Sequence, residues 1–164
     1  MRPYFFTMKQ KSGQIALCGM VAALYAVLTV VTASISYGPV QFRIAEALCV
    51  LCYFSPTCAW GLTLGCAIAN CFSTVSALDL IFGSAATLIG CLAASRVKRK
   101  WLFPLPIILS NGILVGVELA LTLTPGAFFA GMALYGGQVA LGEAAVLYLI
   151  GLPAMVWIEK AGKG

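Results

Sequence analysis

An all-α membrane protein, a bundle of six transmembrane helices with both termini cytoplasmic, is the fold this sequence predicts. Three observations predict it. Of 164 residues, 62% are hydrophobic and 9% charged, with a mean hydropathy of +1.01, whereas a soluble domain carries roughly 25% charged residues. The apolar residues fall in blocks near the ~20 that a membrane helix needs, separated by short polar or Pro/Gly breaks. Nine of the ten basic residues sit at block ends: Arg2, Lys9 and Lys11, then Arg96, Lys98, Arg99 and Lys100, then Lys160 and Lys163. Such clusters set membrane orientation and meet anionic headgroups. The net charge of +5 is therefore topological and argues against a nucleic-acid partner. No polar stretch is long enough for a soluble domain, so residues 1–164 are expected to form one bundle.

The first block, 14–35, follows Lys9 and Lys11 as a signal peptide would. It exceeds the ~7–15 residues of an h-region, so a retained first span is expected. Block two, 40–54, ends at Ser55-Pro56. Its ~15 residues at ~1.5 Å each reach only ~22 Å, so a re-entrant segment competes with a crossing. Blocks three to six are 58–76, 79–95, 102–123 and 129–157, and in lipid only helices of this length satisfy their own backbone. With six crossings, the N-terminus, the loop at 96–100 and the C-terminal Lys160 and Lys163 share one side. With block two re-entrant, the first two basic clusters would be opposed. Six crossings with cytoplasmic ends is the reading that obeys the positive-inside rule. Tyr37-Gly38-Pro39, residues 73–77 and Thr124-Pro125-Gly126 mark the other side, without basic residues.

Small residues four apart recur at Ala22 and Ala26, at Gly61 and Gly65, and at Gly112 and Gly116. They let helices approach closely, either inside the bundle or against a partner. Seven cysteines and no histidine are present. Cys18, Cys49, Cys52, Cys58, Cys66, Cys71 and Cys91 lie in or beside apolar runs, where cysteine behaves as a small hydrophobe. Cys49 and Cys52 form a Cys-x-x-Cys, but no second pair or histidine completes a site, so packing is the reading and no metal is expected.

Chemistry is carried by the acids. Glu46, Glu118 and Glu143 lie inside the spans, with Arg43 as the one basic residue near them. An ionisable group at membrane depth marks a functional site with a partner to be named. Arg43 and Glu46 share a helical face, as an internal ion pair that leaves room for ligand contact. Asn111, Glu118 and Thr122 form a polar stripe on block five. Tyr135 lies about 80° round block six from Glu143 and Gln138 on the other flank of Tyr135, so the three make a broad, partly polar face. Asp79 opens block four, where a helix N-terminus favours an acid, so the stronger reading for it is a cap. Asn70 lies near the outer end of block three. These groups gather in the outer half, which fits a pocket open to the outside better than a pore or proton relay. Tyr37, Phe42, Phe72, Phe82 and Tyr135 are candidates to stack a planar ring, against plain packing.

Gln41-Phe42-Arg43-Ile44-Ala45-Glu46 resembles the Q-F-R-I-[SA]-E signature of the QueT family. The likeness continues in Gly65-Cys66-Ala67-Ile68-Ala69-Asn70 and from Asp79 to Leu88. It returns from Asn111 to Leu119, in Leu141-Gly142-Glu143-Ala144 and in Gly151-Leu152-Pro153, so it covers nearly the whole chain in order. The cysteines at 49, 52, 58, 66, 71 and 91 depart from the pattern without adding charge. The resemblance implies a six-helix S component of an energy-coupling-factor transporter, capturing a queuosine precursor from outside. It implies as partners a membrane coupling protein and two cytoplasmic ATPases; no Walker motif occurs here. It implies docking through an Ala-x-x-x-Ala face, matched by Ala22 and Ala26, and movement by toppling in the bilayer.

The precursor 7-aminomethyl-7-deazaguanine carries a primary ammonium and a guanine-like edge. Carboxylates accept from such donors bidentately, and Arg or Asn donates to the ring carbonyl. Glu118 and Glu143 are the candidate carboxylates, with Glu46 and Arg43 next. Queuine or queuosine is the alternative ligand. An ion-coupled carrier using the same glutamates is the more remote reading. An intramembrane enzyme would need a nucleophile–base or metal constellation, which a chain without histidine argues against; no cofactor is expected.

Overall fold

A computed structural model describes residues 11–37, 42–73 and 76–162. Gln41, Gly38-Pro39 and the terminal Arg2, Lys9 and Lys163 lie outside the described residues. Every regular element described is helical. Helix α1 is Lys11–Val31, followed by a single turn, α2 (Ala33–Ser36). A 3₁₀ stretch, Ile44–Val50, runs into the short α3 (Leu51–Phe54). Then come α4 (Cys58–Asn70), α5 (Asp79–Ala94) and α6 (Leu105–Leu123). Finally α7 (Phe128–Val146) passes through a π turn, Leu147–Gly151, into α8 (Leu152–Ala161).

The breaks follow local chemistry. Ser55-Pro56 separates α3 from α4, because proline cannot continue the preceding ladder. Pro104 and Pro106 sit at the start of α6, where a missing N–H was unsatisfied in any case. Pro153 removes a donor near the start of α8, and the π turn just before it loosens the ladder at that point. Block six, expected as one span, is one helical stretch with a wider turn within it. Block three, expected to reach residue 76, ends its helix at Asn70.

Three helical stretches are long and apolar enough to cross a membrane: Ser12–Val31, Lys100–Leu123 and Pro125–Ala161. Three more are apolar but shorter: Ile44–Phe54, Cys58–Asn70 and Asp79–Ala94. The shortest gains reach from its winding. Seven residues at ~2.0 Å and four at ~1.5 Å span roughly 20 Å. With three residues per turn, Arg43, Glu46 and Cys49 stand one above another.

The main apolar core includes Leu17, Phe54, Leu62, Phe103, Ile107, Leu147 and Met155, and it is continuous with Tyr25, Cys49 and Cys66. Phe103 and Phe54 both meet Tyr53 edge-on, at centroid distances of 5.6 and 5.5 Å. Lys100 of the basic loop pairs with Glu159 of α8. A smaller cluster of Ala86, Val115, Leu119 and Val139 joins α5, α6 and α7.

Small residues set the helix spacing, and they do so inside the bundle. A Cβ on Gly65 would lie 2.6 Å from the Ala22 carbonyl oxygen and 2.8 Å from Tyr25 Cβ. Ala22 and Ala26 are accordingly buried, at 3% and 9% exposure. Close approach of α4 requires a small side chain at Ala22. The outward face of α1 instead carries Ile15, Met20, Leu24, Val27 and Val31. Likewise Gly112 and Gly116 pack on Gly136 of α7, whose own Cβ would lie 2.6 Å from the Gly112 carbonyl oxygen. Gly136→Val is expected to destabilise the bundle by about 1–3 kcal/mol through overpacking. Gly137→Val is the control, since nothing lies within 4 Å of its added Cβ. Thermal unfolding in detergent checks the pair; equal midpoints would refute the glycine contact.

Candidate functional site

The chain has five acidic residues. Glu159 pairs with Lys100. The other four, Glu46, Asp79, Glu118 and Glu143, are 0–3% exposed and surround Arg43, itself 2% exposed.

The cluster begins with the 3₁₀ stack. Arg43 Nη1 lies 3.9 Å from Glu46 Oε1, and the Cys49 thiol donates to Glu46 Oε2 at 2.9 Å. Helix α1 adds the Tyr25 hydroxyl, which donates to Glu46 Oε1, and α5 adds Thr87 at 3.4 Å. Cys66 of α4 receives Arg43 Nη1 at 3.6 Å, Asn70 Nδ2 at 3.4 Å and Thr87 Oγ1 at 3.4 Å. Glu46 is therefore surrounded by protein donors. Its ion pair with Arg43, expected from their spacing, is present.

Asp79 is not acting as a hydrogen-bonded cap: α5 has Leu78 at its N-cap and no side-chain cap bond. The Ser73 hydroxyl donates to Asp79 Oδ2, and Asn70 Nδ2 donates to the Asp79 carbonyl at 2.8 Å. Gly83, one turn along α5, lets Asn70 and Arg43 approach, with Asn70 Nδ2 2.5 Å from where a Cβ would be.

Glu118 reaches the same place from α6. Asp79 and the Ser76 hydroxyl stand beside its carboxyl, and Arg43 acts on it electrostatically. Yet neither Glu118 Oε1 nor Oε2 closes a hydrogen bond among the described residues. Glu143 of α7 interacts with Glu46 and Arg43, and its Oε2 is also unsatisfied. Asn111 is 1% exposed, with both amide atoms buried and unpartnered among the described residues. Gln138 Oε1 is in the same condition. Buried polar groups are overwhelmingly hydrogen-bonded in native proteins, so this concentration makes the cluster the candidate site.

Not every expected residue joins this cluster. Thr122 is exposed and turns its hydroxyl back to the Glu118 carbonyl at 2.9 Å. Tyr135 is half-buried against the small apolar cluster of α5 and α6. Tyr37 is buried, with its hydroxyl on the Ala69 carbonyl at 2.5 Å. Phe42 and Phe72 lie on the outer surface. Conversely, Tyr25, Thr87 and Cys66 join the cluster although the residue pattern did not single them out. A tyrosine and a threonine facing inward from mid-span were the available signals.

The sequence matches the model of the QueT transporter family over residues 15–160. The chain belongs to the QueT transporter family. Among curated proteins it is similar to the queuosine precursor transporter QueT of Lactococcus lactis subsp. cremoris (strain MG1363), at 36% identity over 99 residues. That match covers 57% of this chain and 58% of the relative, so the matched stretch spans less than two-thirds of the relative's length. No solved structure matches. Four of the acids gathered by the fold lie within the family match, as does Arg43.

Proposed function

We propose that this chain is the substrate-capturing subunit of an energy-coupling-factor importer, taking 7-aminomethyl-7-deazaguanine from outside the cell. In this reading it crosses the cell membrane six times with both ends cytoplasmic. It is energised by a membrane coupling protein and two cytoplasmic ATPases. Membership of the QueT transporter family and the name of the curated relative support a queuosine precursor as cargo.

The observation that carries the proposal is four buried carboxyl groups around one arginine. Desolvating an ion costs several kcal/mol even after relaxation, so the surplus acids require protons or a cationic guest. A flat base with one ammonium and several N–H donors meets that requirement. In this reading the ligand is captured from one side and released by movement of the whole subunit.

Calorimetry on the purified protein tests the ligand. Binding of 7-aminomethyl-7-deazaguanine is expected to be roughly 100-fold tighter than that of guanine, through charge-assisted contacts. Equal or absent binding sinks the assignment, and tighter binding of queuine would transfer the role to that ligand. Uptake in vesicles is expected to need ATP and the coupling module. Uptake by this chain alone under a proton or sodium gradient would replace the proposal with an ion-coupled carrier.

A further inference from the structure

We infer that recognition is divided along α6: Asp79 and Glu118 together hold a primary ammonium, and the Asn111 amide reads a lactam edge two turns deeper. The inference rests on the reading of the ligand as an aminomethyl-deazaguanine and assigns the parts of that ligand to residues.

The outer pole offers acceptors. Glu118 Oε1, Glu118 Oε2 and Asp79 Oδ1 are all buried and unpartnered among the described residues, on side chains that are 0% exposed. Two carboxyl groups side by side repel each other when ionised. A primary ammonium has three N–H donors and no acceptor, so it matches three such oxygens and supplies the missing charge. Asp79 is placed there by Ser73, which takes its other oxygen, and by Asn70, which anchors its carbonyl.

The inner pole is of a different kind. Asn111 leaves both a donor and an acceptor unpartnered, Nδ2 and Oδ1. An ammonium cannot satisfy Nδ2. A ring N–H next to a ring C=O satisfies both amide atoms at once, by the bidentate geometry that amides use on bases. Gly112 packs against Gly136 and Ala140 of α7, which brings the level of Gln138 beside Asn111, and Gln138 Oε1 is a further unpartnered acceptor. Asn111 and Glu118 lie on one face of α6, seven residues or about 10.5 Å apart along the axis. A bicyclic base with a one-carbon arm, hydrogen-bonded at both ends, spans that separation.

The test compares two probes with the same ring, 7-aminomethyl-7-deazaguanine and 7-cyano-7-deazaguanine, by displacement of labelled aminomethyl compound. Wild type is expected to prefer the aminomethyl probe by roughly 100-fold. Glu118→Gln is expected to collapse that preference to near unity, while Asn111→Leu weakens both probes and retains the preference. A preference unchanged in Glu118→Gln, or absent in wild type, overturns the ammonium subsite. If wild type binds neither probe, the proposed function fails instead. Asp79→Asn carries the same expectation, so the test survives if Glu118→Gln does not fold.

Discussion

Arg43→Met is expected to destabilise the protein by roughly 3–5 kcal/mol, the cost of leaving a buried ion pair with one partner. That is a large part of the ~5–15 kcal/mol that holds a typical domain together. Arg43 is 2% exposed, lies 3.9 Å from Glu46 and acts on Asp79, Glu118 and Glu143. Methionine fills the volume but leaves four carboxyl groups without a protein cation in the spans. Glu46→Gln in the same background is expected to restore part of the loss, since it removes one acid while the carbonyl oxygen still accepts from Tyr25 or Thr87. Arg43→Lys is not a conservative control, because a point charge cannot reproduce the planar fork. Thermal unfolding in detergent measures all three. If Arg43→Met melts with wild type, the acids are not balanced through Arg43.

The elements legible in the sequence were those determined locally. Apolar block length and breaks at Ser55-Pro56 and Pro125 place the helices, because each acts on its own few residues. The acids were legible for a similar reason: a carboxyl group inside an apolar run is anomalous wherever its neighbours are. What was not legible depended on winding or on partners distant in sequence. Nothing in Ile44–Val50 announces 3₁₀ winding, yet that winding stacks Cys49 under Glu46 and turns a packing cysteine into a hydrogen-bond donor. Asp79 reads as a helix-start acid by position. Only the pairing of α5 with α4 and α6 shows it beside Glu118. Ala22 and Ala26 fit either an internal or an external contact by spacing, and only the packing of α4 shows Gly65 against Ala22. Thr122 has the right spacing for the polar stripe, but its hydroxyl prefers the carbonyl one turn back, a competition common to threonine in helices.

Glu143→Gln is expected to move stability and binding in opposite directions. Its carboxyl is 3% exposed, interacts with the Glu46 carboxyl and has Oε2 unpartnered. In the empty protein it therefore contributes desolvation and like-charge repulsion, offset in part by Arg43. Glutamine keeps the shape and removes the charge, so the ligand-free protein should gain about 1 kcal/mol. With ligand the sign reverses. A hydrogen bond to a charged acceptor is worth about 1.5–3 kcal/mol, so affinity for 7-aminomethyl-7-deazaguanine should fall roughly 10- to 150-fold. The contrast with Arg43 is the diagnostic: a residue that holds the fold loses both properties when replaced, whereas one that waits for a ligand loses only binding. Thermal unfolding and calorimetry on the same preparation give both signs. A variant that is less stable and binds weakly would make Glu143 structural, and one that binds normally would place the base elsewhere in the cluster.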